Sequence, residues 1–132
     1  MSNNETANVV TGIMTEVWNA NDPDAADRFL APAYRDHTYS GGGADGLKAA
    51  IRELGIAMPN QRQTIEDIVA DGDRVMLRIR LTANQTGPFR GKAPSGKPID
   101  VRVARWFRLE NGRIAEHWAL LDTFNLMRQM DA

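Results

Sequence analysis

The chain reads as an α+β fold, with helices gathered at its start and an antiparallel sheet after them. Three observations lead there. Apolar residues recur at helical spacing from Val9 to Leu54 and at strand spacing from Ile65 to Leu120. The change of period falls at Pro59, a helix stop. Asn111-Gly112 then stands between two runs rich in β-branched and aromatic residues, a strong hairpin signal because both central residues of a type I′ turn need positive φ. Helices kept apart from an antiparallel sheet define the class.

Each element has its own signal. Val9, Val10, Ile13, Met14, Val17 and Trp18 share one face, which predicts a helix from Thr6 to Asn21, ended by Asn21-Asp22-Pro23. Asp24 can cap a short second helix, Ala25 to Leu30, which Ala31-Pro32 closes. Ala33 to Tyr39 is a short extended piece, followed by the flexible Ser40-Gly41-Gly42-Gly43. A third helix runs from about Asp45 to Met58, with Leu47, Ile51 and Leu54 as its buried stripe. Gln63 to Ala70 and Arg74 to Asn84 are strands joined by Asp71-Gly72-Asp73. Gln85 to Pro98, dense in glycine and proline, is a long loop of the kind that serves as a lid or binding loop. Beyond the last hairpin, Phe124, Leu126 and Met127 form a short apolar tail. A strongly curved sheet wrapped around the helices makes a cone, with the first and third helices closing its open side over a pocket. Its 132 residues suffice for one domain, 1–132.

The hairpin fixes which side chains face that pocket. With Asn111-Gly112 as a two-residue loop, Leu109 lies opposite Ile114, Phe107 opposite Glu116, Arg105 opposite Trp118, Val103 opposite Leu120 and Val101 opposite Asp122. One face is then mostly apolar but holds Arg105, Glu116 and Asp122. A carboxylate on such a wall is costly unless paired, hydrated or used. A slip of one residue would send Asp122 to the other face.

Composition excludes several functions. Sixteen basic and seventeen acidic residues leave a net charge of −1, so there is no basic field for nucleic acid or an anionic membrane. No apolar run approaches the ~20 residues of a membrane span, and the N-terminus lacks a signal-peptide pattern. The simplest expectation is a cytoplasmic protein. Without cysteine there is no disulfide framework or thiol catalysis. The two histidines stand far apart, without carboxylates at ligand spacing, so no metal and no cofactor is expected. The glycines form neither a dinucleotide fingerprint nor a P-loop.

Several segments resemble the SnoaL-like polyketide cyclase family, within the nuclear transport factor 2-like superfamily. They are Tyr34-Arg35-Asp36-His37 before the glycine loop, Ile65 to Val75, the loop Gly87 to Pro98, and Asn111 to Trp118 followed by Asp122 and Leu126. The resemblance spans Thr6 to Gln129. It implies a cone-shaped, cystatin-like α+β barrel, a homodimer packed through the sheet, and cofactor-free intramolecular aldol closure of a polyketide. It implies an acid/base aspartate near the end of the last strand, the place of Asp122. The cyclases also use a histidine on a neighbouring strand; the matching place, near Arg108, holds arginine here. Relatives act instead as cofactor-free hydroxylases or have no known activity.

Asp122 is therefore the first catalytic candidate, its carboxyl raised toward neutrality by an apolar pocket so that it can take and return a proton. The plain alternative is a strand-end carboxylate paired with Arg105 or capping the tail. His37 is the second, at the pocket mouth, able to bind a carbonyl oxygen or share the proton; its alternative is a wall histidine. Trp18, Tyr34, Met58, Arg105 and Trp118 are expected to line a pocket for a small apolar, carbonyl-bearing molecule. His117 is expected to face away with Trp106 and Leu121, on a second face suited to a sheet-to-sheet dimer contact. The reading is a cofactor-independent acid/base enzyme, with a non-catalytic ligand-binding protein or a cofactor-free hydroxylase as alternatives.

Overall fold

The computed structural model describes residues 1–131. Helix α1 (Asn3–Ile13) begins earlier than its apolar stripe, because Ser2 and Glu5 form a capping box: Glu5 N donates to Ser2 Oγ, and Ser2 N donates to Glu5 Oε1. It widens into a π turn, Met14–Trp18. A 3₁₀ segment, Pro23–Arg28, replaces the expected second α-helix, and its cap is Asp22 rather than Asp24. Strand β1 (Leu30–Asp36), helix α2 (Ala44–Ala57) and strands β2 (Arg62–Asp71), β3 (Arg74–Asn84), β4 (Pro98–Glu110) and β5 (Arg113–Leu121) follow. The apolar tail is a true helix, α3 (Thr123–Asp131), burying Leu126 and Met130 and exposing Phe124.

The five strands form one curved, unclosed sheet in the order β1-β5-β4-β3-β2. All pairs are antiparallel except β1 with β5. Strict alternation holds on β3 and β4: Val75, Leu77, Ile79 and Leu81 meet Val101, Val103, Phe107 and Leu109 against the helices. The opposite face carries arginines and carboxylates in pairs, among them Arg80 with Asp100, Arg102 with Glu66 and Arg108 with Glu116. Arg74, Arg78, Arg80, Arg102 and Arg108 thus already have partners.

The turn is the predicted one. Asn111 and Gly112 have φ of 52° and 77°, and Leu109 pairs with Ile114. One residue further the ladder slips. Arg108 pairs with Glu116, so Ala115 is an extra residue, and Ile114 and Ala115 are both buried. The strand is held there from its other side, where Ile114 N donates to Phe29 O and Ile114 pairs with Leu30. Beyond this bulge every β5 side chain takes the face opposite to the one expected. Phe107 meets His117, Trp106 meets Trp118, and Arg105 meets Ala119.

The long loop has structure of its own. Arg90 and Gly91 have φ of 46° and 84° between paired Phe89 and Lys92, a second tight turn. Gln85 Nε2 donates to the carbonyls of Gly87 and Ala93, and Ser95 N donates to Gln85 Oε1. Gly87 packs against the end of α2; a Cβ there would lie 2.1 Å from the Ile56 carbonyl oxygen. Phe89 is thereby held inward and buried.

Candidate functional site

The bulge assembles a buried polar chain that the sequence reading did not foresee. His117 is 1% exposed. It lies between Asp36, at the end of β1, and Arg105, in the middle of β4. His117 Nδ1 is 3.0 Å from Asp36 Oδ2, and His117 Nε2 is 3.3 Å from Arg105 Nη1. An arginine only donates, so Nε2 is the acceptor and the proton sits on Nδ1, directed at Asp36. Burial pushes the His117 imidazole below its ordinary pKa, against the pull of Asp36.

Asp36 is fully enclosed. Burial alone would raise its pKa, but four donors outweigh that. The Tyr34 hydroxyl donates at 2.6 Å, the Thr38 and Tyr39 backbone N–H groups at 2.9 Å each, and His117 at 3.0 Å. Together they hold the carboxyl at about 2. Tyr34 is correspondingly pushed up, by burial first and then by the Asp36 charge. Beyond His117, Arg105 Nε and Nη2 donate to Gln63 Oε1, at 3.1 and 3.0 Å, and Nη1 donates to the Tyr39 hydroxyl at 3.0 Å. Trp18 covers one face of the guanidinium, 4.0 Å from its ring centroid. The π turn that ends α1 carries that indole.

Arg105 and Tyr39 then face a cavity of about 60 Å³. Trp18, Leu54, Leu81, Val103 and Leu121 supply its apolar wall, Phe89 its loop side, and Glu53 with Arg90 its charged rim. Arg90 Nε donates to Glu53 Oε1 at 3.2 Å, and its Nη2 lies 3.1 Å from the same oxygen as an ion pair. Glu53 is the one carboxylate among the described lining residues. No group of three or more His, Cys, Asp or Glu side chains is placed to hold a metal among the described residues.

Of the expected site residues, Trp18 and Arg105 line this cavity. The others require correction. Asp122 is half-buried and caps α3, accepting from Asn125 N at 3.2 Å and Asn125 Nδ2 at 2.6 Å, and it is not a lining residue. His37 lies on the outer face, stacked on Trp118 at 4.7 Å and 3.6 Å from Glu116. Trp118 is on that face too, stacked on Trp106 at 6.3 Å, because the bulge turned it out. Glu116 pairs with Arg108 there, and not with Arg105. Tyr34 is occupied by Asp36, and Met58 is fully buried core. His117, expected outside, is the inward one.

One signal could have exposed the slip. The unbulged register sets Glu116 opposite Phe107, whereas the bulged one sets it opposite Arg108, a charge pair across neighbouring strands.

Residues 8–130 match the family model described as SnoaL-like polyketide cyclase. The fold is similar to TsrD from Streptomyces laurentii, with 28% identity and TM-score 0.88 over 98% of this chain and 97% of that one. It is similar to a candidate SnoaL-like polyketide cyclase from Jannaschia sp. CCS1, with 27% identity and TM-score 0.88 over 98% and 94% of the two chains. AclR from Streptomyces galilaeus, described as a candidate hydroxylase, shares the fold with 23% identity and TM-score 0.88 over 98% of each chain. A comparison with curated protein sequences gives no match. Helices packed on a curved sheet, together with a family match over nearly the whole length, make this chain a member of the SnoaL-like polyketide cyclase family.

Proposed function

We propose that the protein is a cofactor-independent enzyme performing acid/base chemistry on a small carbonyl-bearing molecule held in the Arg105–Tyr39 cavity. The observation that carries this reading is a buried guanidinium and a phenol hydroxyl side by side at the inner end of an apolar cavity. The Tyr39 oxygen accepts from Arg105, which leaves its O–H to donate to a carbonyl oxygen. As the α-proton leaves, negative charge grows on that oxygen, where a fixed cation in a water-poor site stabilises it strongly. Glu53 Oε2, with no hydrogen-bond partner among the described residues, is the proton acceptor at the rim. The enolate can add to a second carbonyl of the same molecule, and the alkoxide so formed takes back the proton held by Glu53, which completes an aldol-type closure. Asp36 and His117 are positioning residues: they fix the side of Arg105 remote from the substrate.

The size of the cavity sets a condition. A dry cavity of roughly 150 Å³ holds one benzene, and this one has about 60 Å³. A ring-bearing substrate therefore enters with Phe89 displaced. The loop is tied to the body by exposed ion pairs, Arg90 with Glu53 and Lys92 with Asp131, each contributing about 1 kcal/mol or less.

A homodimer through the outer sheet face belongs to the same proposal. Val69, Met76 and Leu120 are exposed there beside the Trp106–Trp118 stack, with charges of both signs around them. Light scattering on Met76→Glu tests it: a monomer is expected, and an unchanged mass in a wild-type dimer would place the contact elsewhere.

The test of the chemistry is exchange of the α-protons of acetylacetone into D₂O, followed by NMR. The wild type is expected to accelerate exchange, and Tyr39→Phe to slow it at least about 10²-fold. Asp122→Asn and His37→Ala should exchange at the wild-type rate. No acceleration by the wild type, across a set of diketones, would leave a ligand-binding protein without turnover.

A further inference from the structure

The inner end of the cavity is rich in donors. Arg105 is 3% exposed and carries five N–H groups. Four are engaged: Nε and Nη2 with Gln63 Oε1, and Nη1 with the Tyr39 oxygen and with His117 Nε2. All these acceptors are neutral, and Arg105 makes no ion pair among the described residues. Its nearest carboxylate along the chain of hydrogen bonds is Asp36, behind His117. A cation taken out of water is costly unless an anion meets it.

Gln63 gives an independent sign. Arg105 pins its amide oxygen, so the amide cannot be turned over. Its Nε2 is buried and has no hydrogen-bond acceptor among the described residues. A buried polar group of this kind is rare enough to demand a reason. The Tyr39 O–H is likewise uncommitted. Arg105 and Tyr39 face the cavity with donors to spare, and Gln63 is bonded to Arg105 without lining the cavity.

We propose that this corner is a carboxylate subsite, and that the molecule taken up here is an oxo acid. Its carboxylate meets the Arg105 guanidinium where that group lines the cavity, which sets its keto oxygen on the neighbouring Tyr39 hydroxyl. One Nη2 N–H is left over, and a charge-assisted bond from it to a carboxylate is stronger than one to a neutral oxygen. The volume agrees: about 60 Å³ takes a carboxylate and a few carbons, with any larger remainder passing Phe89 toward the rim. The rim carboxylate, Glu53, is matched by Arg90 and does not repel an anion unopposed. The inference rests on the carbonyl reading above only in placing the keto group on Tyr39.

Acetoacetate is the probe, compared with its neutral counterparts methyl acetoacetate and acetylacetone. Binding to ¹⁵N-labelled protein is followed through the side-chain resonances of Arg105 Nε–H and Gln63 Nε2–H₂. Acetoacetate is expected to bind and move both resonances, and the neutral compounds to bind at least about tenfold more weakly. Arg105→Lys should cost at least about tenfold for the acid; if that variant does not fold, the wild-type comparison of acid and ester decides alone. Equal binding of ester and acid, no binding of the acid at millimolar concentration, or binding that leaves both resonances unmoved overturns the proposal. Proton exchange in acetylacetone without any preference for the acid removes the subsite and keeps the enzyme. Acid binding without exchange in any diketone removes the enzyme and keeps the subsite.

Discussion

Replacing Asp36 with asparagine breaks the buried chain at its only anion. Asp36 Oδ1 accepts from the Thr38 and Tyr39 backbone N–H groups, and Oδ2 accepts from the Tyr34 hydroxyl and His117 Nδ1. An asparagine keeps its oxygen on the backbone pair and turns its NH₂ toward Tyr34 and His117; the Tyr34 hydroxyl can rotate to accept, but the His117 Nδ1–H then meets a donor. Moving the imidazole proton to Nε2 relieves one clash and creates another, because Arg105 Nη1 already donates there. Two charge-assisted hydrogen bonds are lost in a site closed to water. Each is worth about 1.5–3 kcal/mol, and breaking a buried charged pair costs about 3–5 kcal/mol, which is the loss expected for the variant. For a chain of this length that is about 10–18 °C in Tm. Urea denaturation followed by both far-UV circular dichroism and tryptophan fluorescence measures it. A loss below about 1 kcal/mol, the size of an ordinary substitution, would refute the buried-chain account.

Other outcomes follow from the same geometry. Stability should fall as pH drops below the unfolded histidine value near 6.5, because the unfolded chain binds a proton that buried His117 refuses. It should fall again as pH passes from about 4 to about 2, because Asp36 is held at about 2 and its contribution is lost on protonation. Stability that is flat between pH 7 and 5 would contradict the first limb. Asp122→Ala should cost about 1 kcal/mol as a lost helix cap, while Asp122→Asn, itself a good cap, should be nearly neutral in stability and in α-proton exchange. Phe89→Ala should cost about 3 kcal/mol and admit ring-bearing diketones such as benzoylacetone, read as a larger thermal shift than in the wild type.

The architecture was legible because its signals are local and repeated. Alternation along Arg74–Asn84 and Pro98–Glu110, the Asn-Gly turn and the proline stops all survive in the fold. The sheet face of each site residue was not legible, because one extra residue decided it. Ala115 is small and apolar and fits either face, so nothing in its own chemistry announces a bulge. Its effect falls on everything after it: His117 moves in, Trp118 and Glu116 move out, and Asp122 arrives at the start of α3 as a cap. Arg105 and Trp18 line the cavity because Arg105 sits on the regular part of β4 before the slip and Trp18 keeps to the apolar stripe of α1 through its π turn. The role of Gln63 depends on β2 and β4 lying on either side of β3, and no sequence spacing reveals that contact. The helical tail was read as merely apolar because its capping partner, Asp122, was assigned to chemistry.

The account stands on His117 being buried, neutral and protonated on Nδ1, between Asp36 and Arg105. The ¹⁵N chemical shifts of its two ring nitrogens, followed from neutral to mildly acid pH, test this directly. A protonated Nδ1 and an unprotonated Nε2, unchanged as pH passes through the ordinary histidine value of about 6.5, are the predicted result. Titration near that value, or the opposite tautomer, would contradict it.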